Sequence, residues 1–358
     1  MHMADALISP AVGGTAWAAT AGLIGYSSRK LRDGMDDHQI PLMAVLGAFI
    51  FAAQMINFTI PATGSSGHLG GGLILAILLG PYAGFLTLAS VLIIQALFFA
   101  DGGLLALGCN ILNLGFFPCF VVYPLIYKKI ARDHKRRWLI VTGALMGAVV
   151  ALQLGSLAVV TQTFLSGISE LPFRTFVLVM QPIHLAIGFM EGVATLTVVL
   201  FVLKARPEIL VDGAHAAAPK NPLSVRGLAA GFLIATLITG AGFNWFSSKY
   251  PDGLEWSVLR VTGTGEIREP EGEVHRSLAD LQKKTALLPD YHLEGEDKQD
   301  GTESGEGSAA GPSTGPGTPL SGLVGGILTL LLAGALGLFL KRYHLRTQVG
   351  HSQVAHRK

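Results

Sequence analysis

The chain has 358 residues, 50% of them hydrophobic and only 14% charged, with 45 glycines, a net charge of +2 and a mean hydropathy of +0.50. Soluble globular proteins carry about 25% charged residues, so the composition excludes that class and puts the chain in a membrane, in contact with lipid. The near-neutral balance offers no basic surface for nucleic acid, and the Lys and Arg residues matter through their positions.

Nothing basic precedes the first apolar run, so no cleavable leader is expected and the N-terminus should survive uncut. Apolar runs near the roughly 20 residues needed to cross hydrocarbon are predicted at 9–28, 40–58, 81–100, 104–127, 138–165 and 175–203, with a shorter segment at 69–80 closed by Gly80-Pro81. Basic clusters fall at Arg29-Lys30-Leu31-Arg32, at Lys128-Lys129 continuing to Lys135-Arg136-Arg137, at Lys204 with Arg206, and at Lys341-Arg342 with Arg346. Placing them in the cytoplasm works only if 69–80 counts as a crossing and the N-terminus lies outside. Cys109 and Cys119 are ten residues apart in one apolar stretch, about 15 Å if helical, too far to bridge. They read as small buried hydrophobes.

After Lys204 the composition changes. Residues 206–222 read as a linker, 225–246 as another apolar run, 247–319 as a polar extracytoplasmic loop, and 321–340 as a last crossing. The later loop, about 296–318, is rich in Gly, Pro, Ser and Glu and reads as a flexible tether. The expected organisation is an all-α integral membrane protein, a seven-helix bundle over 1–205 and a two-helix module over 223–345, with a cytoplasmic tail at 346–358.

The opening residues carry chemistry. His2 is bulky, so Met1 should be retained with a free amine. That amine and the His2 amide nitrogen close a five-membered ring on a metal, and the amide with Nδ1 of His2 closes a six-membered one. A fourth nitrogen would complete the tetragonal set that suits Ni(II) or Cu(II). His68, in the glycine-rich stretch "PATGSSGHLGGG" on the same expected face, is the candidate donor.

Met1-His2 with Asp5, Ser9 and Pro10, the stretch "FAAQMINFTIPATGSSGHLGGGLILAILLGPYAG" and "FFADGGLLALGCNILNLG" resemble the CbiM/NikM family. These are the substrate-binding membrane components of energy-coupling factor transporters for cobalt and nickel. Pro251-Asp252-Gly253-Leu254-Glu255 resembles the PDGLE signature of the small CbiN/NikN partner, so the whole looks like a fused NikM–NikN type chain. The resemblance implies a planar four-nitrogen set from Met1, His2 and His68, with Ni2+ favoured over Co2+ as the substrate. It also implies a separate transmembrane coupling protein of the CbiQ/NikQ type and a cytoplasmic ATPase of the CbiO/NikO type. Family members often continue His-Ile-Pro-Asp-Gly-Phe after the first Met; here Asp5 persists while the proline and glycine do not, so the turn that tucks the terminus inward is expected to differ.

Gln54 and Asn57 lie close to the His68 loop, either hydrogen-bonding around it or packing helix to helix. Asn110 and Asn113 share a similar spacing. His184 and Glu191 share a helix face at i, i+7; Glu191 is expected toward the cytoplasmic end, with a structural or partner-docking role. Asp101 reads as a loop or cap residue, and His344, His351 and His356 as solvated tail residues. No G-x-x-x-x-G-K-[ST] phosphate loop occurs, so no ATP site is expected in this chain and no enzymatic activity. Two rivals are a vitamin-type transport component on the same scaffold and an intramembrane metalloenzyme using His68, His184 and Glu191. The second lacks an H-E-x-x-H pair and would need His68 and Glu191 on opposite sides of the membrane.

Overall fold

The computed structural model describes residues 2–32, 39–133, 136–210, 224–242, 247–263, 272–293 and 317–355, with side chains in the last segment through Tyr343. Met1, most of the linker, nearly all of the tether and His356 lie outside the described residues, as do the side chains of His344 and His351.

The described chain is almost wholly helical. Helix α1 spans Pro10–Arg32, with Ser9 Oγ accepting from Val12 N–H at its start and Arg29, Lys30 and Arg32 in its last turn, where the helix dipole favours positive charge. Helix α2 spans Gln39–Gln54 and α4 Pro81–Phe99, its proline in the first turn where no N–H is needed. Helix α5 runs Leu107–Ile130, and its middle, Leu112–Tyr127, winds as a wide π-helix around Pro118 and Pro124. Proline lacks the N–H and crowds the carbonyl four residues back, and a widened turn relieves both problems. Helices α6, Arg137–Ser166, and α7, Phe173–Ala205, complete the first unit.

Five described helices are long and apolar enough to span a membrane: α4, α5, α6, α7 and α11, which runs Gly317–Ala355. Helix α2 and helix α8, Val225–Ala241, are shorter and apolar. The segment expected at 69–80 is helix α3, Gly72–Leu79, eight residues and wholly buried. At 1.5 Å per residue it is about 12 Å long, less than half a bilayer core. Before it, strands β1, Phe58–Ile60, and β2, Ser65–Gly67, form an antiparallel hairpin that pairs Thr59 with Ser66. The chain then enters α3 through Gly71 at φ +73°, packed so tightly that a Cβ there would lie 2.6 Å from Ile50. Only glycine accepts both conditions.

The two helices of the second unit clasp α2. Gly240 of α8 meets Gly322 of α11 backbone to backbone, a side chain at Gly325 would overlap the Phe51 ring, and Gly47 faces Thr329. Small residues let helices approach this closely where no water drives them together. The polar loop holds more order than its composition suggests: helices α9, Gly253–Thr262, and α10, Glu273–Thr285, pack on α7 and α4 respectively. Cys109 and Cys119 are free and fully buried, as their spacing predicts.

Candidate metal-capture site

The N-terminal segment runs into the bundle. Met3 is fully buried, its N–H donating to Asn110 Oδ1 at 2.8 Å and its carbonyl accepting from Gly103 N–H at 3.0 Å. Asp5 Oδ1 accepts from Ala106 N–H at 2.9 Å, and a side chain at Gly103 would overlap that carboxylate. Asp5–Leu7 then makes one tight turn before α1. The terminus is therefore tucked inward without the proline and glycine common in the family, anchored by Asn110 and Asp5 instead.

This threading brings His2 against His68. Their rings stack in parallel, centroids 5.0 Å apart and planes 8° apart, with 8% and 9% of the side chains exposed. His2 Nδ1 lies 3.1 Å from Asp101 Oδ1, and its Nε2 is buried without a hydrogen-bond partner in the structure. His68 Nδ1 lies 3.1 Å from the Leu69 carbonyl, which fixes that nitrogen as the N–H in the neutral ring, while Nε2 faces Asp252 Oδ2 at 3.9 Å. Burial above all pushes the His68 imidazole down to about 3, against the opposing pull of Asp252 and Asp101. For Asp101 burial alone would raise the carboxyl, but His2 beside it and the Tyr291 hydroxyl outweigh that and hold it well below the usual carboxylate range.

The His68 loop is fixed from below. Glu191 accepts from Gly70 N–H at 2.6 Å and from Gly71 N–H at 2.9 Å, while the Gly70 carbonyl accepts from Gln54 Nε2 at 2.8 Å, and Gln54 in turn accepts from Gln95. Glu191 lies mid-way along the 33-residue α7. The separation of His68 and Glu191 to opposite sides is therefore overturned: the loop after β2 dips into the bundle and meets Glu191 at depth, which distance along the sequence does not reveal. Asp101 is likewise more than a loop residue, since it holds both His2 and the Tyr291 hydroxyl. Of the two polar residues near the loop, Gln54 shapes it directly. Asn57 works through its backbone, donating to Ser247 Oγ and accepting from Ser248 N–H. His184, fully buried, faces Gly253: a Cβ at that glycine would lie 3.1 Å from the His184 ring.

Those last contacts carry the second unit to the site. Ser66 N–H donates to the Pro251 carbonyl, Ser66 Oγ to the Tyr250 carbonyl and Trp256 Nε1 to the Thr63 carbonyl, so 247–256 lies along the hairpin. Asp252-x-x-Glu255 is a capping box: Asp252 Oδ1 accepts from Leu254 and Glu255 N–H, and Glu255 Oε2 accepts from Asp252 N–H. The stretch Pro251 to Glu255 thus starts α9 and aims the other Asp252 oxygen at His68. Between the units lies a cavity of about 460 Å³ that reaches His2, bordered by Asp5, Asp101, Asp252 and Glu255. Among the described residues no three His, Cys, Asp or Glu side chains converge to hold an ion.

Fold and site define a multi-pass membrane protein in which a buried N-terminal histidine and a loop histidine meet beneath a second, docked module. Residues 2–209 match the family model described as the cobalt uptake substrate-specific transmembrane region, CbiM, and residues 226–342 match the PDGLE domain. The chain belongs to the CbiM family, here joined to a PDGLE module; it is a metal-transport component and not an enzyme. It is 32% identical to the putative fused nickel transport protein NikMN of Archaeoglobus fulgidus over 96% of this chain and 99% of that one. It is also 32% identical to the fused nickel transport protein NikMN of Rhodobacter capsulatus (81% and 88%) and 27% identical to the cobalt transport protein CbiM of Geobacter sulfurreducens (75% and 80%). A solved transition metal transporter aligns with a TM-score of 0.51 at 30% identity, covering 58% of this chain and 95% of that one.

Proposed function

We propose that the chain captures a divalent transition metal, nickel before cobalt, on the outer face of the cell and releases it inward when partner subunits hydrolyse ATP. The partners are a transmembrane coupling protein of the CbiQ/NikQ type and a cytoplasmic ATPase of the CbiO/NikO type. In this reading the N-terminus is outside, the C-terminus is cytoplasmic, the inward-dipping His68 loop and the short α3 together make the third crossing, residues 1–205 bind the ion and 223–345 assist through the linker at 206–222. The observation that carries it is the buried stack of His2 on His68. Neutral His68 presents Nε2 as a lone-pair donor; the Met1 amine, the His2 amide and the His2 imidazole supply the other nitrogens, and only two side chains are needed. Nickel is favoured because the four-nitrogen set with a deprotonated amide is tetragonal. Nickel transport by fused relatives of the same two-unit layout supports the choice.

The test is bound Ni2+ per chain in purified protein, with folding checked separately. One extra residue before Met1 turns the amine into a peptide nitrogen and should abolish tight binding, as should His2→Ala and His68→Ala. An extended chain that holds nickel as tightly as wild type would exclude the terminus as the site. Competition of unlabelled nickel against labelled cobalt uptake decides between the ions: cobalt uptake untouched by excess nickel would sink the nickel preference.

A further inference from the structure

The second unit also reaches the N-terminal histidine through a residue far from its PDGLE stretch. Tyr291 ends a short turn, Pro289–Tyr291, in which Asp290 and Tyr291 both take left-handed backbone angles, φ +49° and +66°. Such a backbone conformation in a non-glycine residue is strained and persists only where its surroundings fix it. Those surroundings are explicit. The Tyr291 ring stacks on Phe99 with centroids 5.1 Å apart, Leu287 and Leu288 N–H both donate to the Phe98 carbonyl, and Ser321 of α11 donates to the Tyr291 carbonyl. The result is one hydroxyl aimed at one carboxylate: Tyr291 OH donates to Asp101 Oδ2 at 2.5 Å, and Asp101 Oδ1 holds His2 Nδ1 at 3.1 Å.

The His2 ring has two edges to offer. Nδ1 faces Asp101 and Nε2 is buried without a partner. A half-turn about Cβ–Cγ exchanges the edges, turning Nδ1 away from the carboxylate and toward the chelate while bringing the Nε2 edge round to Asp101. Metal-ligating histidines commonly donate their other ring N–H to a carboxylate, which fixes tautomer and ring plane. Asp101 serves as the anchor in both orientations, provided it is itself held still.

We propose that Tyr291 is a positioning residue for cation capture, supplied by the second unit: its hydroxyl fixes Asp101, and Asp101 orients the His2 ring. This rests on the metal reading above. A chain lacking only that hydroxyl still docks its second unit through the Phe99 stack and the hairpin contacts, but leaves Asp101, and with it the His2 ring, less firmly held.

The experiment measures Ni2+ affinity and the visible absorption of bound Ni2+ in the full-length chain, for wild type and for Tyr291→Phe, Tyr291→Leu, Asp101→Asn, the Asp101→Asn/Tyr291→Phe double variant and His2→Ala. Tyr291→Phe keeps the ring and should weaken binding about tenfold, the low end for outer partners of a ligand, with an altered ligand-field band. The double variant should lose no more than Asp101→Asn alone, because both changes cut one chain of contacts. Wild-type affinity in Tyr291→Phe with loss only in Tyr291→Leu would overturn the proposal in favour of ring packing, and additive losses would overturn it too, while the metal site stands in both cases. Wild-type affinity in His2→Ala would remove the metal reading and the proposal with it.

Discussion

Asp252 does two jobs with two oxygens, and substitutions separate them. Asp252→Asn keeps an oxygen for the Leu254 and Glu255 N–H groups, whereas Asp252→Ala removes the cap at a cost of about 1 kcal/mol. Amides of α9 should then exchange with solvent about fivefold faster in the alanine variant and near the wild-type rate in the asparagine variant; equal acceleration in both would contradict the capping role. His68 gives a pH test. Its folded pKa lies at about 3 against 6.5 in the unfolded chain, so below pH 6.5 the unfolded state binds more protons than the folded one. The stability tied to a neutral His68 is therefore complete above pH 6.5 and is lost as pH falls from there toward 3. An NMR titration of labelled imidazole should find His68 neutral at pH 5, and a midpoint near 6.5 would contradict the burial.

At the scale of elements, the glycine loop depends on Glu191, whose carboxylate satisfies two buried N–H groups. Glu191→Ala strands both donors at about 1–3 kcal/mol each, so nickel affinity should fall tenfold or more, while Glu208→Ala, at an exposed turn, should leave it unchanged. Equal affinity in Glu191→Ala would show that the loop holds its shape without the pin. The long helices were legible in the sequence because runs of apolar residues near membrane length have few other solutions. The hairpin was not, because "PATGSSGHLGGG" has no period of 2 or 3.6 to read. His2 and His68 could be paired from chelate chemistry and charge bias, both local signals. Asp101 and Tyr291, 190 positions apart, meet only through tertiary packing, and nothing near either one announces the other. Asp252-x-x-Glu255 was legible only as part of a module signature; that it starts a helix, and which histidine its second oxygen faces, come from the fold.

Across the whole molecule, the second unit holds the first at several separated places, among them two helices on α2, residues 247–256 along the hairpin, α10 on α4 and Tyr291 on Asp101. None of these contacts has to be strong. Because both units are one chain, docking is a unimolecular event governed by an effective concentration and not by the amount of a separate partner. A contact too weak to hold two separate molecules together can therefore suffice within one chain. Cutting the chain between 211 and 223 converts that event into a bimolecular one. Uptake by the split halves should then rise with the expression level of the second half, where the intact chain shows no such dependence, and dose-independent uptake by the halves would mean that the membrane helices alone keep them together.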